Sequence, residues 1–233
     1  IVISSLQKKI NYYSENQIND KKPQLINSGY LKLDHVYEKL KINKLEEDSI
    51  LLAPTLSTTL KDFNLDDYLV SIIKEVLNNT NFKIIYRPHP GDKANPNKKL
   101  IINSINDKYS NNKNFKIDFE TSYLDSYKKS KILITDFSGT AYTYAFSKLR
   151  PIIFFSKNEN GLLKSSFNDL YFFKDRLKVG KIVQNIDNLN EEIYSADKQI
   201  EFYSNQIKTL RSERINFFKN SIKQNIVNLI NII

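Results

Sequence analysis

The chain has no cysteine among its 233 residues, which excludes a disulfide framework and any thiolate metal site. A chain without cysteine suits a reducing compartment. Histidine is almost as scarce: His35 and His89 are the only two, too few for a multi-histidine metal centre. No apolar run approaches the roughly 18–20 residues that cross a bilayer as a helix. There is no signal-peptide pattern, no internal repeat and no low-complexity tract. The tail from Ala196 to Ile233 lacks both proline and glycine, and so is expected to be mostly helical. The first residues, Ile-Val-Ile-Ser-Ser, lack a starting methionine and suggest a fragment with further sequence upstream.

What remains is an ordinary globular composition. Hydrophobic residues make up 40% of the chain, enough for a full core. The formal charge is +9, which favours anionic partners such as nucleic acid, phosphorylated substrates or an acidic membrane surface. The lysines are scattered without a long basic block, so the charge alone selects none of these.

Residues 1–47 have the look of a connector at the end of a missing N-terminal domain: polar, with a Gly turn in SGYLKLD and a short helical stretch near Val36–Leu40. From Ser49 onward, strands and helices alternate. SILLAPT is a strand stopped by Pro54, and NLDDYLVSIIKEVLNN is a helix with Asn64 as the expected N-cap. Leu65, Leu69, Ile72, Ile73, Val76 and Leu77 would form its buried face. Phe82–Tyr86 is the next strand, followed by a helix near Lys98–Tyr109, a short strand NFKID and a short helix SYLDSYKKS. Ile132–Thr135 is a buried strand, PIIFF another, and Gly180–Val183 a last one. This order predicts an α/β fold: a Rossmann-like parallel sheet with helices on both faces over 48–195, and a helical extension over 196–233. In such sheets ligands bind beyond the carboxyl ends of the strands. The loops to inspect are therefore PTLSTT, RPHPGD and TDFSGT.

Two of these loops are candidates for phosphate chemistry. In KILITDFSGTAYTYAFSKLRPIIFF, a strand ends at Asp136 and a helix opens on Ser138-Gly139-Thr140. A helix N-terminus offers unpaired N–H groups and a partial positive charge, which together suit an anion. Ser138 and Thr140 would add hydroxyls, and Gly139 would let a phosphate approach the backbone. The plain alternative is that Ser138 only caps the helix and Gly139 only turns. Asp136 has three candidate roles, binding a sugar hydroxyl, holding a cation or orienting the turn; a single carboxylate is a poor metal site, so orienting the turn is the expectation. Ala141, Ala145 and Leu149 are spaced to pack that helix on the sheet. In RPHP, prolines stiffen a loop bearing Arg87 and His89. A guanidinium matches phosphate oxygens, and an imidazole can donate to them or move a proton near neutral pH. His35 has no polar cluster beside it and is taken as structural.

These motifs together resemble the CDP-glycerol glycerophosphotransferases, which build teichoic-acid-like and capsular polymers. LITDFSGTAYTYAFSKLRPIIFF is similar to that family's LITDYSS strand and aromatic helix. SGYLKLD, ILLAPT, RPHP and GKIVQNIDNLNEEI resemble other segments of the family in the same order, from about Ser28 into the C-terminal helix. The resemblance implies the C-terminal, donor-binding half of a GT-B-type glycosyltransferase fold. It places Arg87 and His89 as catalytic groups and Ser138, Gly139 and Thr140 around a donor diphosphate. Glycerol phosphate would pass from CDP-glycerol to an acceptor hydroxyl with release of CMP, with no bound cofactor and no metal required. It also implies a lipid-linked polymer acceptor and a peripheral position at the cytoplasmic face of the membrane. The proposed base of the family lies in its N-terminal domain.

The sequence departs from the family pattern in four places. Ser-Gly-Thr replaces a Ser-Ser pair, Leu31 stands where Pro is frequent, Lys32 replaces an Arg, and Leu-Ser-Thr-Thr follows Ala-Pro-Thr where an aromatic and an Arg are usual. A capsule or lipooligosaccharide glycosyltransferase using a nucleotide-sugar donor would need the same phosphate cradle. An inactive scaffold is a further alternative. A nucleic-acid-binding module would fit the charge and the 14 tyrosines, but no basic–aromatic stripe runs through the chain, so no nucleic-acid partner is expected. Ile226, Val227, Leu229, Ile230, Ile232 and Ile233 near the C-terminus are expected to pack in a core or between domains.

Overall fold

A computed structural model describes residues 2–3, 26–42, 48–56, 62–216 and 218–231. Most of the expected 1–47 connector and residues 57–59 of the PTLSTT loop lie outside these, as do Ile232 and Ile233. Two short parallel strands, β1 (Val2–Ile3) and β2 (Ile26–Asn27), pair with each other. The body is a six-stranded, wholly parallel sheet. Its strands are β3 (Ser49–Leu52), β4 (Lys83–Tyr86), β5 (Phe115–Ile117), β6 (Ser130–Thr135), β7 (Ile152–Phe155) and β8 (Gly180–Val183).

Their spatial order is β5-β4-β3-β6-β7-β8. Counted from β3, this is 3-2-1-4-5-6, the Rossmann order, and the chain reverses its direction of travel between β3 and β6. The ladder there pairs Ile50 with Ile132, Leu51 with Leu133 and Leu52 with Ile134.

Alternate residues of each strand feed two separate cores, as the two-residue period of a strand requires. On one face Ile50, Leu52, Ile84, Ile132, Ile134 and Phe155 meet α2 (Leu69–Asn79) and α9 (Leu189–Lys198). On the other, Leu51, Leu133, Ile152 and Phe154 meet α1 (Leu31–Lys41), α5 (Thr140–Lys148) and α10 (Ile200–Arg214). Both faces are covered, so β3 and β7 are buried at every residue. Each such Ile or Leu contributes about 1.5–3 kcal/mol on burial. Leu69, Ile72, Ile73 and Val76 form the buried face of α2 as their spacing predicts, with Leu65 buried just ahead of the helix.

Boundaries differ from expectation where side-chain caps compete. Asn64 accepts from the Asp66 amide in the turn that leads into the 3-10 turn Asp66–Tyr68, and is not the N-cap of α2, which begins only at Leu69. Helix α3 (Pro96–Tyr109) starts earlier than Lys98, because Asn95 accepts from the amides of Asn97 and Lys98 and Pro96 suits the first turn. Leu149 ends α5 in the left-handed region, at φ 57°. Helix α9 runs through position 195, so the expected C-terminal extension begins inside a helix.

Between β7 and β8 lie three short helices that the periodicity does not reveal: α6 (Glu159–Lys164), α7 (Tyr171–Lys174) and α8 (Arg176–Val179). They are tied by a buried two-bond ion pair from Arg176 to Glu159, at 2.6 and 3.0 Å.

Helix α11 (Ser221–Ile230) folds back on residues 27–34. Asp34 accepts from the amides of Lys219 and Ser221, and Asn228 donates to the Asn27 carbonyl. A Cβ at Gly29 would lie 2.6 Å from the Ser221 Cα, so glycine permits this approach. The apolar residues of α11 are not core: Ile226 and Ile230 are 52% and 64% exposed. No described helix is long and apolar enough to cross a membrane.

Candidate functional site

The reversal between β3 and β6 puts their two carboxyl ends side by side, and three loops meet there. Asp136, the first residue after β6, turns its carboxylate toward the loop after β3 and accepts from the Thr55 amide at 3.1 and 3.2 Å. Thr135 donates its hydroxyl to the Ala53 carbonyl at 2.6 Å, and the Ala53 amide donates to Ile134. Burial pushes the Asp136 carboxyl up to about 7, opposed by the amides of Thr55, Asp136, Leu65 and Ser138. Asp136 thus links the turn after β6 to the single connection between β3 and α2, through the Thr55 and Leu65 amides.

The turn itself has an open side. Ser138 Oγ accepts from the Thr140 amide at 3.3 Å, and the Ser138 carbonyl accepts from Ala141 at 3.1 Å. The Ser138 hydroxyl proton remains available to a ligand. Gly139 is exposed and has ordinary helical angles, φ −61° and ψ −17°. A Cβ there would meet nothing within 4 Å. The glycine is therefore not needed for backbone shape or internal packing; its absent side chain leaves free space outside the turn. Thr140 is held from behind, its Oγ1 lying 3.0 Å from the Tyr127 hydroxyl.

The RPHP loop leaves β4 on the same edge. Its Arg87 amide donates to the Leu52 carbonyl, extending the ladder to β3. His89 caps the following 3-10 turn, Pro90–Ala94: its Nδ1 accepts from the Gly91 amide at 3.1 Å. In the neutral ring the proton then sits on Nε2, which can donate outward. Gly91 packs on Leu56, whose Cδ1 would lie 2.8 Å from an added Cβ. Leu56 follows Thr55, the partner of Asp136, so one chain of contacts runs from His89 to the Ser138–Thr140 turn.

Arg87 is placed differently from its expected role. Its guanidinium donates to Asp118 at 2.5 Å and to the carbonyls of Glu120, Thr121 and Ser122 at 2.8–3.3 Å. The planar fork is spent on the 118–122 loop after β5 and is not left free beside the turn. Burial would raise the Asp118 carboxyl. Hydrogen bonds from Ser126, the Glu120 amide and Arg87 outweigh it and hold the group below the usual carboxylate range. Sequence reasoning missed Asp118 and Tyr127 as parts of this edge, and picked the loop of Thr55 without its tie to Asp136. The rule that selected RPHP and TDFSGT would also have selected Asp118, the residue after β5. Among the described residues, no three His, Asp or Glu side chains gather into a possible metal site.

A Rossmann-ordered parallel sheet with three loops joined at its switch point defines half of a GT-B-type fold. Solved structures agree in fold. The wall teichoic acid polymerase TagF superposes with TM-score 0.63 at 19% identity, over 98% of this chain and 56% of that one. A TagF variant soaked with CDPG gives 0.64 at 20%, over 99% and 56%. The UDP-GlcNAc 2-epimerase of Neisseria meningitidis bound to UDP-GlcNAc gives 0.60 at 19%, over 97% and 60%. The chain therefore spans a little over half the length of these proteins. The model of the CDP-glycerol:poly(glycerophosphate) glycerophosphotransferase family matches residues 18–231, and the chain belongs to that family. No functionally curated protein matches significantly.

Proposed function

We propose that the protein is a transferase that moves glycerol phosphate from CDP-glycerol to a hydroxyl of a poly(glycerophosphate)-type surface polymer. The observation that carries this reading is the open face of Gly139 at the switch point, one turn from Asp136 and on the same sheet edge as the His89 imidazole. In this reading the Ser138 hydroxyl, the Gly139 backbone and Thr140 hold the donor diphosphate at the positive end of α5. The acceptor oxygen forms a bond to the glycerol-bearing phosphorus as the bond from that phosphorus to the CMP oxygen breaks. His89 Nε2–H faces the phosphates and donates to the departing CMP oxygen. The acceptor hydroxyl proton passes to a base outside these residues. Arg87 acts as a positioning residue that sets the loop carrying His89.

The family description and the soak of a TagF variant with CDPG support the donor. We take the acceptor to be lipid-linked, and the enzyme to work peripherally at the inner membrane face, drawn by its net charge of +9. The test is turnover by the full-length protein with CDP-glycerol and a panel of nucleotide sugars. CMP release that depends on acceptor is the expected result. Turnover of a nucleotide sugar in place of CDP-glycerol would move the protein to the glycosyltransferases, and no turnover of any donor would leave a scaffold.

A further inference from the structure

The sheet has a second charged edge. At its amino-terminal end, opposite the site just described, a groove of about 330 Å³ is lined by Lys83, Lys113, Lys116 and Lys129, with Asp48 as its one carboxylate. The lysines come from four separate places: the start of β4, the loop before β5, the edge strand β5 itself, and the end of α4 (Leu124–Lys129). Asp48 is paired with Lys83 and accepts from the Ser49 hydroxyl at 2.7 Å. Among the described residues, Lys113, Lys116 and Lys129 have no carboxylate partner. Lys116 alone would be an ordinary guard on an edge strand. Three unpaired ammonium groups facing one concavity raise the local potential for anions instead.

The shape of the groove indicates the kind of anion. A lipid surface is met by a convex or flat face with apolar anchors, and none of the exposed large apolar side chains lines this groove. A concave site with separated point charges suits discrete phosphates along a flexible chain. The four-residue strands β3 and β4 separate the two edges by roughly 13 Å, at about 3.3 Å per residue. Several repeats of a phosphodiester polymer can bridge that span.

We propose that this groove is an exosite for successive phosphodiesters of the glycerophosphate polymer, holding the acceptor chain while its end reaches the opposite edge. This rests on the transferase reading above.

The test titrates a fluorescently labelled, lipid-free glycerol phosphate oligomer into the full-length protein and into the triple variant K113Q/K116Q/K129Q. CDP-glycerol binding is measured on the same samples, and phosphatidylglycerol vesicles serve as a second ligand. The expected result is oligomer binding about tenfold weaker in the variant, with a flatter salt dependence and unchanged CDP-glycerol affinity. KM should rise for long acceptors and stay constant for short ones. Unchanged oligomer affinity in the variant overturns the exosite, as does vesicle binding lost in the variant when the oligomer does not bind wild type. Failure of wild type to bind CDP-glycerol counts against the donor reading, while the oligomer titration still decides the groove.

Discussion

Arg87 and Asp118 form a largely buried ion pair at 2.5 Å, their side chains 11% and 5% exposed. The pair joins the ends of β4 and β5. Arg87→Gln strands the Asp118 charge and is expected to cost about 3 kcal/mol, as for other broken buried pairs. Chemical denaturation measures it. The acid limb should change as well. The Asp118 carboxyl is held low, so its contribution is complete above the unfolded value of about 4 and is lost as pH falls through the lower folded value. Arg87→Gln should weaken that acid-side loss. If Arg87 only positions the loop, Asp118→Asn will raise the donor KM in the same direction. A fall in kcat for Arg87→Gln alone, at unchanged donor KM, would instead put the guanidinium on the phosphates.

Gly139→Ala separates shape from space. The helical angles suit alanine and the new Cβ meets nothing, so stability should hold or rise by up to about 1 kcal/mol. Donor affinity should fall about tenfold or more if phosphate contacts the backbone there. Calorimetric titration with CDP-glycerol checks this, and an unchanged affinity would remove Gly139 from the site.

The fold was legible because each buried parallel strand is an apolar run between polar helices. Ile132–Thr135 and Ile152–Phe155 need only their own composition to be recognised. The loops were legible because the carboxyl-edge rule depends on chain direction alone. What could not be seen depends on pairing across the chain. Thr55 and Asp136 are 81 positions apart, and Arg87 and Asp118 are 31 apart. A guanidinium beside a proline loop looks the same in sequence whether it is free or already held by a neighbouring strand. The helices α6 to α8 are too short to show a period, and the side chains that hold them, Arg176 and Glu159, look like surface charges.

His89→Ala with Ser138→Ala should abolish measurable CDP-glycerol binding while the chain still folds. Each change removes one side-chain hydrogen bond, worth about 1 kcal/mol, from the Gly91 and Thr140 amides. Both losses are small beside the roughly 5–15 kcal/mol typical of a folded domain. A cooperative melt together with lost binding is the expected pair of results. A melt and an affinity both close to wild type would place the donor elsewhere.

Asp136 gives a pH dependence of opposite sign to that of Asp118. Its carboxyl is pushed up to about 7 in the fold, against about 4 when unfolded. Between those values the folded chain holds a proton that the unfolded chain has released, so stability falls as pH rises through this window and levels off above it. The decline is at most about 4 kcal/mol, at 1.36 kcal/mol per unit. Asp136→Asn keeps an oxygen for the Thr55 amide but cannot ionise. Urea denaturation from about pH 4 to pH 7 should therefore show a slope in the parent that is missing in the variant. Parallel curves would mean that the Thr55, Leu65 and Ser138 amides hold the ionised carboxylate against its burial. Asp136 would then be a fixed negative charge beside the proposed phosphate site, and that charge would repel the donor.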